Sequence, residues 1–224
     1  MNRLKLSVAL ICLVSALSAG AQSTTTNLFT GVNKVIPDGQ FTGVSDSQSL
    51  TFADPLFVNI TDVKVVLDIS GGFNGDFYAY LVHDGQFAVL LNREGRTSVN
   101  SIGYGDPGMS VTIGATGNDI HNYQTFSPTF DSGRLTGDWA QDGRGTDPQF
   151  ALDSDSRTAL LSSFNGTNPN GTWDLFLSDV DFGQQGTLVN WGLIITAIPE
   201  PSFLSMSLAA SLTLMWFRNR RRCD

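Results

Sequence analysis

Residues 164–195 contain the clearest strand patterns in this sequence: FNGTNPNGTWDLFLSDVDFGQQGTLVNWGLII. Within them, residues 172–178 alternate between apolar and polar side chains, which is the pattern of a strand with one buried face. Trp173, Leu175 and Leu177 share the apolar face, and Phe176 interrupts the polar one. This segment is therefore expected to be a strand that packs on one side against a core.

A second alternation follows a polar, glycine-rich connection at residues 179–186. Segments of that composition join strands rather than continue them. Val189, Trp191, Leu193 and Ile195 form the apolar face of the second strand. The two tryptophans are thus expected to face one core from neighbouring strands.

Upstream, three more segments alternate in the same way. Residues 62–70 form a strand, residues 71–76 (GGFNGD) form a glycine-rich turn, and a hairpin follows. Its turn is Asp84-Gly85, a pair that favours the two-residue primed turns of β-hairpins. The apolar positions of these strands are Val63, Val65, Leu67, Ile69, Phe77, Ala79, Leu81, Phe87, Val89 and Leu91.

The pattern F-x-G, N-G-T-W-x-L, D, G-T-L-x-x-W-x-L resembles the C-terminal half of the P domain (Homo B domain). That domain is the β-sandwich that follows the catalytic domain in kexin-like and furin-like proteases and in some bacterial subtilases. The matching positions are Phe164, Gly166, Asn170, Gly171, Thr172, Trp173, Leu175, Asp179, Gly186, Thr187, Leu188, Trp191 and Leu193. A turn ending in Gly75-Asp76 extends the resemblance, although Gly71 and Gly72 stand where family members often carry a histidine.

The resemblance implies an all-β fold for residues 22–198, a jelly-roll β-sandwich of the galactose-binding-like type. It covers roughly residues 58–196 and is weakest over residues 100–163. It indicates a fold and not an active site.

Catalytic motifs are missing from the sequence. It contains neither G-x-S-x-G nor the subtilase segment G-T-S-x-A, and its two histidines, His83 and His121, are isolated. His83 adjoins a turn and His121 lies in a polar segment, so neither suggests a base beside a nucleophile or a zinc site. We therefore predict a protein that is not an enzyme.

The charge balance is acidic, with a formal net charge of −8, so nucleic acid is not an expected partner. No cysteine lies within residues 22–198, so packing, with or without bound ions, is expected to stabilise the domain. Six aspartates between residues 131 and 155 match no EF-hand loop and are interpreted as solvated loops, with Asp153 or Asp155 capping a short helical turn over residues 159–161. A calcium site combining Asp76 with Asp179 or Asp181 is the better candidate, because hard cations require oxygens that converge in space.

Residues 1–21 have the features of a secretory signal peptide: a basic leader, an apolar run and a small-x-small site at Ala19 and Ala21 for signal peptidase. At the other end, Pro199, Glu200 and Pro201 precede an apolar run at residues 203–217 and a basic cluster. The cluster consists of Arg218, Arg220, Arg221 and Arg222.

This tripartite tail, residues 199–224, resembles a PEP-CTERM sorting signal, the tag that exosortase recognises in certain Gram-negative bacteria that export polysaccharide. The resemblance implies a short transmembrane helix that holds the protein transiently in the inner membrane, with the arginines in the cytoplasm. It also implies processing by exosortase and a final location at the cell surface or in the extracellular matrix.

Three hypotheses of function remain open. The first is an exported, non-catalytic surface or extracellular-matrix protein associated with exopolysaccharide in a biofilm. The second is a carbohydrate-binding module, which would need aromatic rings exposed on one face; Tyr78, Tyr80 and Tyr104 are the candidates. The third is an accessory P domain that acts in trans on a separately encoded subtilisin-like serine protease.

Overall fold

The computed structural model describes residues 22–54 and 57–199. The predicted signal peptide with Ala19 and Ala21 lies outside the described residues. So does the predicted sorting tail apart from Pro199, including Glu200, Pro201 and the four arginines. Within the described ranges, no helix has the length and apolar character needed to span a membrane.

The described residues form eleven strands and three short 3-10 helices, joined by turns and longer connections. The strands are β1 (Ser23–Phe29), β2 (Lys34–Val35), β3 (Gln40–Leu50), β4 (Asn59–Gly71), β5 (Phe77–His83), β6 (Gln86–Asn92), β7 (Gly108–Asp119), β8 (Thr129–Asp131), β9 (Arg134–Ala140), β10 (Gly171–Asp179) and β11 (Gly186–Ile198). The 3-10 helices are Asn74–Asp76, Ile120–Phe126 and Leu161–Phe164.

The strands form two sheets. The larger sheet has the order β1-β11-β4-β7-β9-β8, with β2 also paired to β11, and the smaller sheet has the order β3-β10-β5-β6. All neighbours are antiparallel except β7 and β9. The two sheets confirm the predicted β-sandwich.

The core lies between the sheets and receives side chains from both. Trp173 and Trp191 are each 0% exposed, as their alternation predicts. The prediction that they lie on neighbouring strands is wrong, because β10 belongs to the smaller sheet and β11 to the larger one. The connection at residues 180–185 therefore crosses between sheets, and the two rings enter the core from opposite sides.

Irregular pairing changes two of the predicted faces. A register shift in β11 between Leu188 and Asn190 buries Leu188 in place of Val189. A second shift, between Ala79 and Tyr80 in the pairing of β5 with β6, leaves Phe87 39% exposed while Val89 is buried. Bulges of this kind insert one residue and turn the following side chains to the other face.

The predicted hairpin turn is confirmed. Asp84 and Gly85 have φ angles of 48° and 73°, the left-handed values that a type I′ turn requires at both central positions. Phe77, Ala79 and Leu81 are fully buried, as predicted.

Residues 100–163 contain three strands and a buried polar cluster as well as loops. Asp142 is fully buried, where the sequence predicted a solvated loop. Its carboxylate lies 2.7 Å from Nδ1 of His121 and 3.3 Å from Nη1 of Arg144. The predicted helical cap is also absent: the 3-10 helix Leu161–Phe164 has no side-chain cap, and Asp155 accepts a hydrogen bond from the Leu152 N–H.

Candidate functional site

The outer face of the smaller sheet carries four aromatic rings in mutual contact. We call Tyr78, Tyr80, Phe87 and Phe176 the aromatic strip. Tyr80 is at its centre: its ring is stacked on Phe176 at 4.6 Å between centroids and lies 5.1 Å from Phe87 and 5.7 Å from Tyr78. Tyr78 and Phe176 are 6.4 Å apart with their rings edge to face.

Strand alternation and register bring these rings together. On β5 the even-numbered residues face outward because their odd-numbered neighbours fill the core. The antiparallel pairing of β5 with β10 places Tyr80 opposite Phe176. Phe176 is the residue that interrupts the polar face of its strand, so the one irregularity in that pattern marks the strip.

The neighbouring strand β3 approaches the strip closely through Gly43. A Cβ atom there would lie 2.7 Å from the Phe176 ring and 2.1 Å from the Leu177 carbonyl oxygen. Gly43 also has a φ of 49°, a conformation that side chains rarely adopt. Glycine at this position therefore lets the Phe176 ring lie over β3.

A row of polar side chains follows the strip on β10 and β3. Ser47 donates a hydrogen bond to the Asp174 carboxylate, and Ser49 lies 3.3 Å from the Thr172 hydroxyl. These pairs lie directly opposite each other in the register of the two strands. The face thus offers ring surfaces beside hydroxyl and carboxylate groups.

The tyrosine hydroxyls of the strip are neutral near neutral pH. Burial raises the pKa of Tyr78 to about 12, and the neighbouring Tyr80 adds to the rise. Burial also raises the pKa of Tyr80, helped by the Asp174 carboxylate. Each hydroxyl can therefore both donate and accept a hydrogen bond.

Tyr104, the third predicted ligand-binding tyrosine, is not part of the strip. Its ring packs edge to face on the buried Tyr123 at 4.6 Å and contacts the core. Of the three candidate tyrosines, Tyr78 and Tyr80 therefore share one face and Tyr104 does not, because Tyr104 follows β6 in a connection at one end of the sandwich.

That end also holds the three predicted calcium ligands. Asp76 ends a 3-10 helix and Asp179 ends β10, in register with Phe77, so the two aspartates approach each other. Arg93 lies beside them: its Nη2 is 2.9 Å from Oδ2 of Asp181 and 3.7 Å from Oδ1 of Asp76. Asp181 is thus engaged by a guanidinium. Asp179 is 0% exposed, and neither of its carboxylate oxygens has a partner in good hydrogen-bond geometry; the backbone N–H groups of Gly39 and Asp181 approach it closely enough to lower its pKa against the effect of burial.

The two buried carboxylates have strongly perturbed acidities. Burial raises the pKa of Asp76 to about 6, despite the attraction of Arg93, and the charges of Asp181 and Asp38 add to the rise. Burial raises the pKa of Asp179 to about 7, with Asp76 and Asp38 as additional causes. Asp38 belongs to the same cluster and was missed, because no sequence spacing connects it with residues so distant along the chain.

An open cavity of about 230 Å³ adjoins these groups. It is lined by Phe73, Asp76, Asp181, Phe182 and residues 102–105. In the described part of the chain, no three acidic, histidine or cysteine side chains converge as in a preformed metal centre.

Both histidines are engaged in structural contacts. His83 stacks on Trp173 with 3.8 Å between ring centroids, and its two nitrogens lie 2.9 and 2.7 Å from the carbonyl oxygens of Thr172 and Asn168. The nitrogens of His121 lie against Asp142 and the Arg96 carbonyl oxygen. Neither ring has a nitrogen left for a substrate or a metal in this arrangement.

The solved structures that are similar to this chain include two of a bacterial serine protease. A chain in the structure of the Aeromonas sobria serine protease with its chaperone is 15% identical, with a TM-score of 0.44, over 85% of this chain and 29% of that one. In the structure of the serine protease of Aeromonas sobria the identity is 14% and the TM-score 0.41, over 81% of this chain and 28% of that one. This chain therefore spans less than a third of the length of those chains. No family model and no curated protein matches the sequence.

Proposed function

We propose that this protein is an exported, non-catalytic surface or extracellular-matrix protein whose β-sandwich binds a neutral polysaccharide through the aromatic strip. The observation that carries the proposal is the contact of four partly exposed rings on one sheet face. Aromatic side chains on an outer face are costly to leave in water, and a contiguous apolar patch with a polar rim is typical of a binding site.

The chemistry of the strip suits a sugar chain. A pyranose ring presents a face of C–H groups that packs on an aromatic ring, while its hydroxyls extend sideways and form hydrogen bonds. Tyr80 and Phe176 offer ring surface, and Ser47, Asp174 and Thr172 offer polar groups beside it. The extended strands match the extended shape of a polysaccharide.

Charge favours a neutral ligand over an anionic one. The chain has a formal net charge of −8, and Asp174 lies next to the strip. Like charges across an interface oppose binding. Uronic-acid polymers are therefore expected to bind more weakly than neutral glycans.

The location is proposed from the two ends of the sequence. In this proposal signal peptidase cleaves after Ala21, the tail holds the chain transiently in the inner membrane, and exosortase processes it near Pro199, Glu200 and Pro201. The mature protein then remains with exopolysaccharide at the cell surface of a Gram-negative bacterium. The signal-peptide features and the PEP-CTERM resemblance support this part.

The test is binding of the purified protein to an array of neutral and acidic polysaccharides, followed by titration of the best glycan. Tyr80→Ala and Phe176→Ala should each weaken binding about tenfold or more, the effect of removing a central aromatic contact. Phe150→Ala removes an exposed ring, 67% accessible, that is not one of the four strip residues, and should leave binding unchanged. Absence of glycan binding, or equal affinities of all three variants and the parent, would overturn the proposal.

A further inference from the structure

We propose that Asp179, Asp76 and Asp38 bind a hard divalent cation of the calcium class at the end of the sandwich where these three aspartates lie. The proposal is independent of the aromatic strip, since none of its rings takes part. It concerns the place where the segment before β3, the 3-10 helix Asn74–Asp76 and the end of β10 meet, since Asp179 pairs with Gln40 on one side and with Phe77 on the other.

The first argument is the state of the Asp179 carboxylate. It is completely removed from solvent, yet neither oxygen has a partner in good hydrogen-bond geometry, and the donors that approach it are the neutral backbone N–H groups of Gly39 and Asp181. Burying a carboxylate without a partner is among the most costly arrangements in a protein. Such a group must take up a proton or a cation, and a cation compensates both oxygens at once.

The second argument is the local excess of negative charge. Asp38, Asp76, Asp179 and Asp181 lie on the segments that meet here, and Arg93 is the cation that reaches Asp76 and Asp181. When all are ionised, four carboxylates and one guanidinium leave three negative charges. A divalent cation reduces this to one, whereas among the described residues no cationic side chain forms an ion pair with Asp179.

The same contacts decide which carboxylates are available. Asp181 is committed to Arg93, with Nη2 at 2.9 Å, whereas Asp76 is more distant from that guanidinium, at 3.7 Å. Asp38 accepts a hydrogen bond from the Gly183 N–H through Oδ1 and keeps its other oxygen for a metal. The predicted ligand set of Asp76 with Asp179 or Asp181 is therefore refined to Asp76, Asp179 and Asp38.

The type of cation follows from the donors. All the donor atoms are carboxylate oxygens. Because soft metals prefer sulfur ligands, the site favours a hard cation. The carboxylates come from three separate segments of the chain and would have to move inward, since the described side chains do not converge on one point. Calcium tolerates irregular geometry and several water ligands, while magnesium demands a near-ideal octahedron. Asp76 lines the open cavity, which gives a hydrated ion a route to the site.

The experiment uses the purified protein after chelator treatment, with calcium chloride as the probe. Calorimetry should show saturable binding, and the melting temperature should rise by about 5 to 10 °C at a hundredfold excess over Kd. Asp179→Asn and Asp76→Asn should each abolish the shift. Asp138→Asn, a change of the same type at an exposed aspartate, should retain it.

Each outcome bears on the proposal. Absence of both heat and thermal shift in the parent protein would overturn it, whatever the variants do. Calcium binding that survives in Asp179→Asn or Asp76→Asn would also overturn it, because the ion would then be bound elsewhere. If one variant fails to fold, the other and the parent still decide. Loss of binding in both, with retention in Asp138→Asn, supports the site.

Discussion

The hydrogen bond between Trp191 and Asp46 joins the two sheets through the core, and its contribution to stability can be measured. Trp191 lies on β11 of the larger sheet and Asp46 on β3 of the smaller one. Nε1 of Trp191 donates to Oδ2 of Asp46 at 2.7 Å, and both residues are buried. Lys34 and Gln48 each reach the same carboxylate at 2.8 Å.

Two substitutions separate the ring from its N–H group. Trp191→Phe keeps an aromatic ring but removes the donor, and hydrogen bonds to charged groups contribute about 1.5 to 3 kcal/mol. Trp191→Ala also empties the site, so it should cost about 3 to 5 kcal/mol or more, the range for a buried aromatic residue. For a domain without disulfides this is a large part of the usual stability.

Urea unfolding of a double-mutant cycle isolates the bond. We expect Trp191→Phe and Asp46→Asn to show a coupling of about 1 to 3 kcal/mol, because the first removes the donor and the second removes the negative charge of the acceptor. Trp173→Phe is the matched control: the same ring change at another fully buried tryptophan, whose Nε1 donates to the Pro169 carbonyl oxygen at 3.1 Å. It should show no coupling with Asp46→Asn. A coupling below about 0.5 kcal/mol for the Trp191 pair, or an equal one for Trp173, would refute the reasoning.

Three further outcomes are expected. The pKa of Asp46 is lowered, since bonds from Gln48, Lys34 and Trp191 outweigh its burial; its stabilising effect is therefore present above the ordinary value of 3.8 and lost as the pH falls through the lowered one. The stability gap between the parent and Asp46→Asn at neutral pH should thus shrink progressively as the pH falls below the ordinary value, and a gap of equal size in acid melts would contradict this. The purified protein should hydrolyse no peptide substrate; activity that disappears on replacing one serine or histidine would show otherwise. Maturation should remove the tail near Pro199, so mass spectrometry of the surface-located form should detect no peptide from residues 220–224, and recovering one would argue for a permanent anchor.

The sequence predicts faces well where alternation is regular. Trp173, Leu175 and Leu177 are buried as expected because a strand has a period of two and nothing interrupts it there. Val189 is misplaced because a bulge shifts the register by one residue, and no local pattern distinguishes a bulge from a regular strand. The local pattern also cannot show that β10 and β11 belong to different sheets. Each strand would have one apolar face whether the two lay in the same sheet or in opposite sheets.

The candidate sites show the same limit. Tyr78 and Tyr80 could be placed on one face from alternation alone, but their contact with Phe176 depends on the pairing of β5 with β10. Asp142 was expected in solvent because aspartate is usually exposed; in the fold, His121 and Arg144 compensate its charge. Contacts between residues that are far apart in sequence cannot be recognised from the pattern of one sequence.

The position of β11 has a consequence for how the chain reaches its native state. β11 is the last of the described strands, yet it lies inside the larger sheet, where it pairs with β1, β2 and β4. Ser23 lies opposite Ala197, so the sheet closes only when segments from both ends of the described chain are present together. Contacts of such long sequence separation form slowly. While the ribosome is still synthesising the chain, β1 and β4 have no strand to lie between them, and the larger sheet stays incomplete. In the export that we propose, late closure of this kind would postpone assembly of the sandwich until its last strand has crossed the membrane.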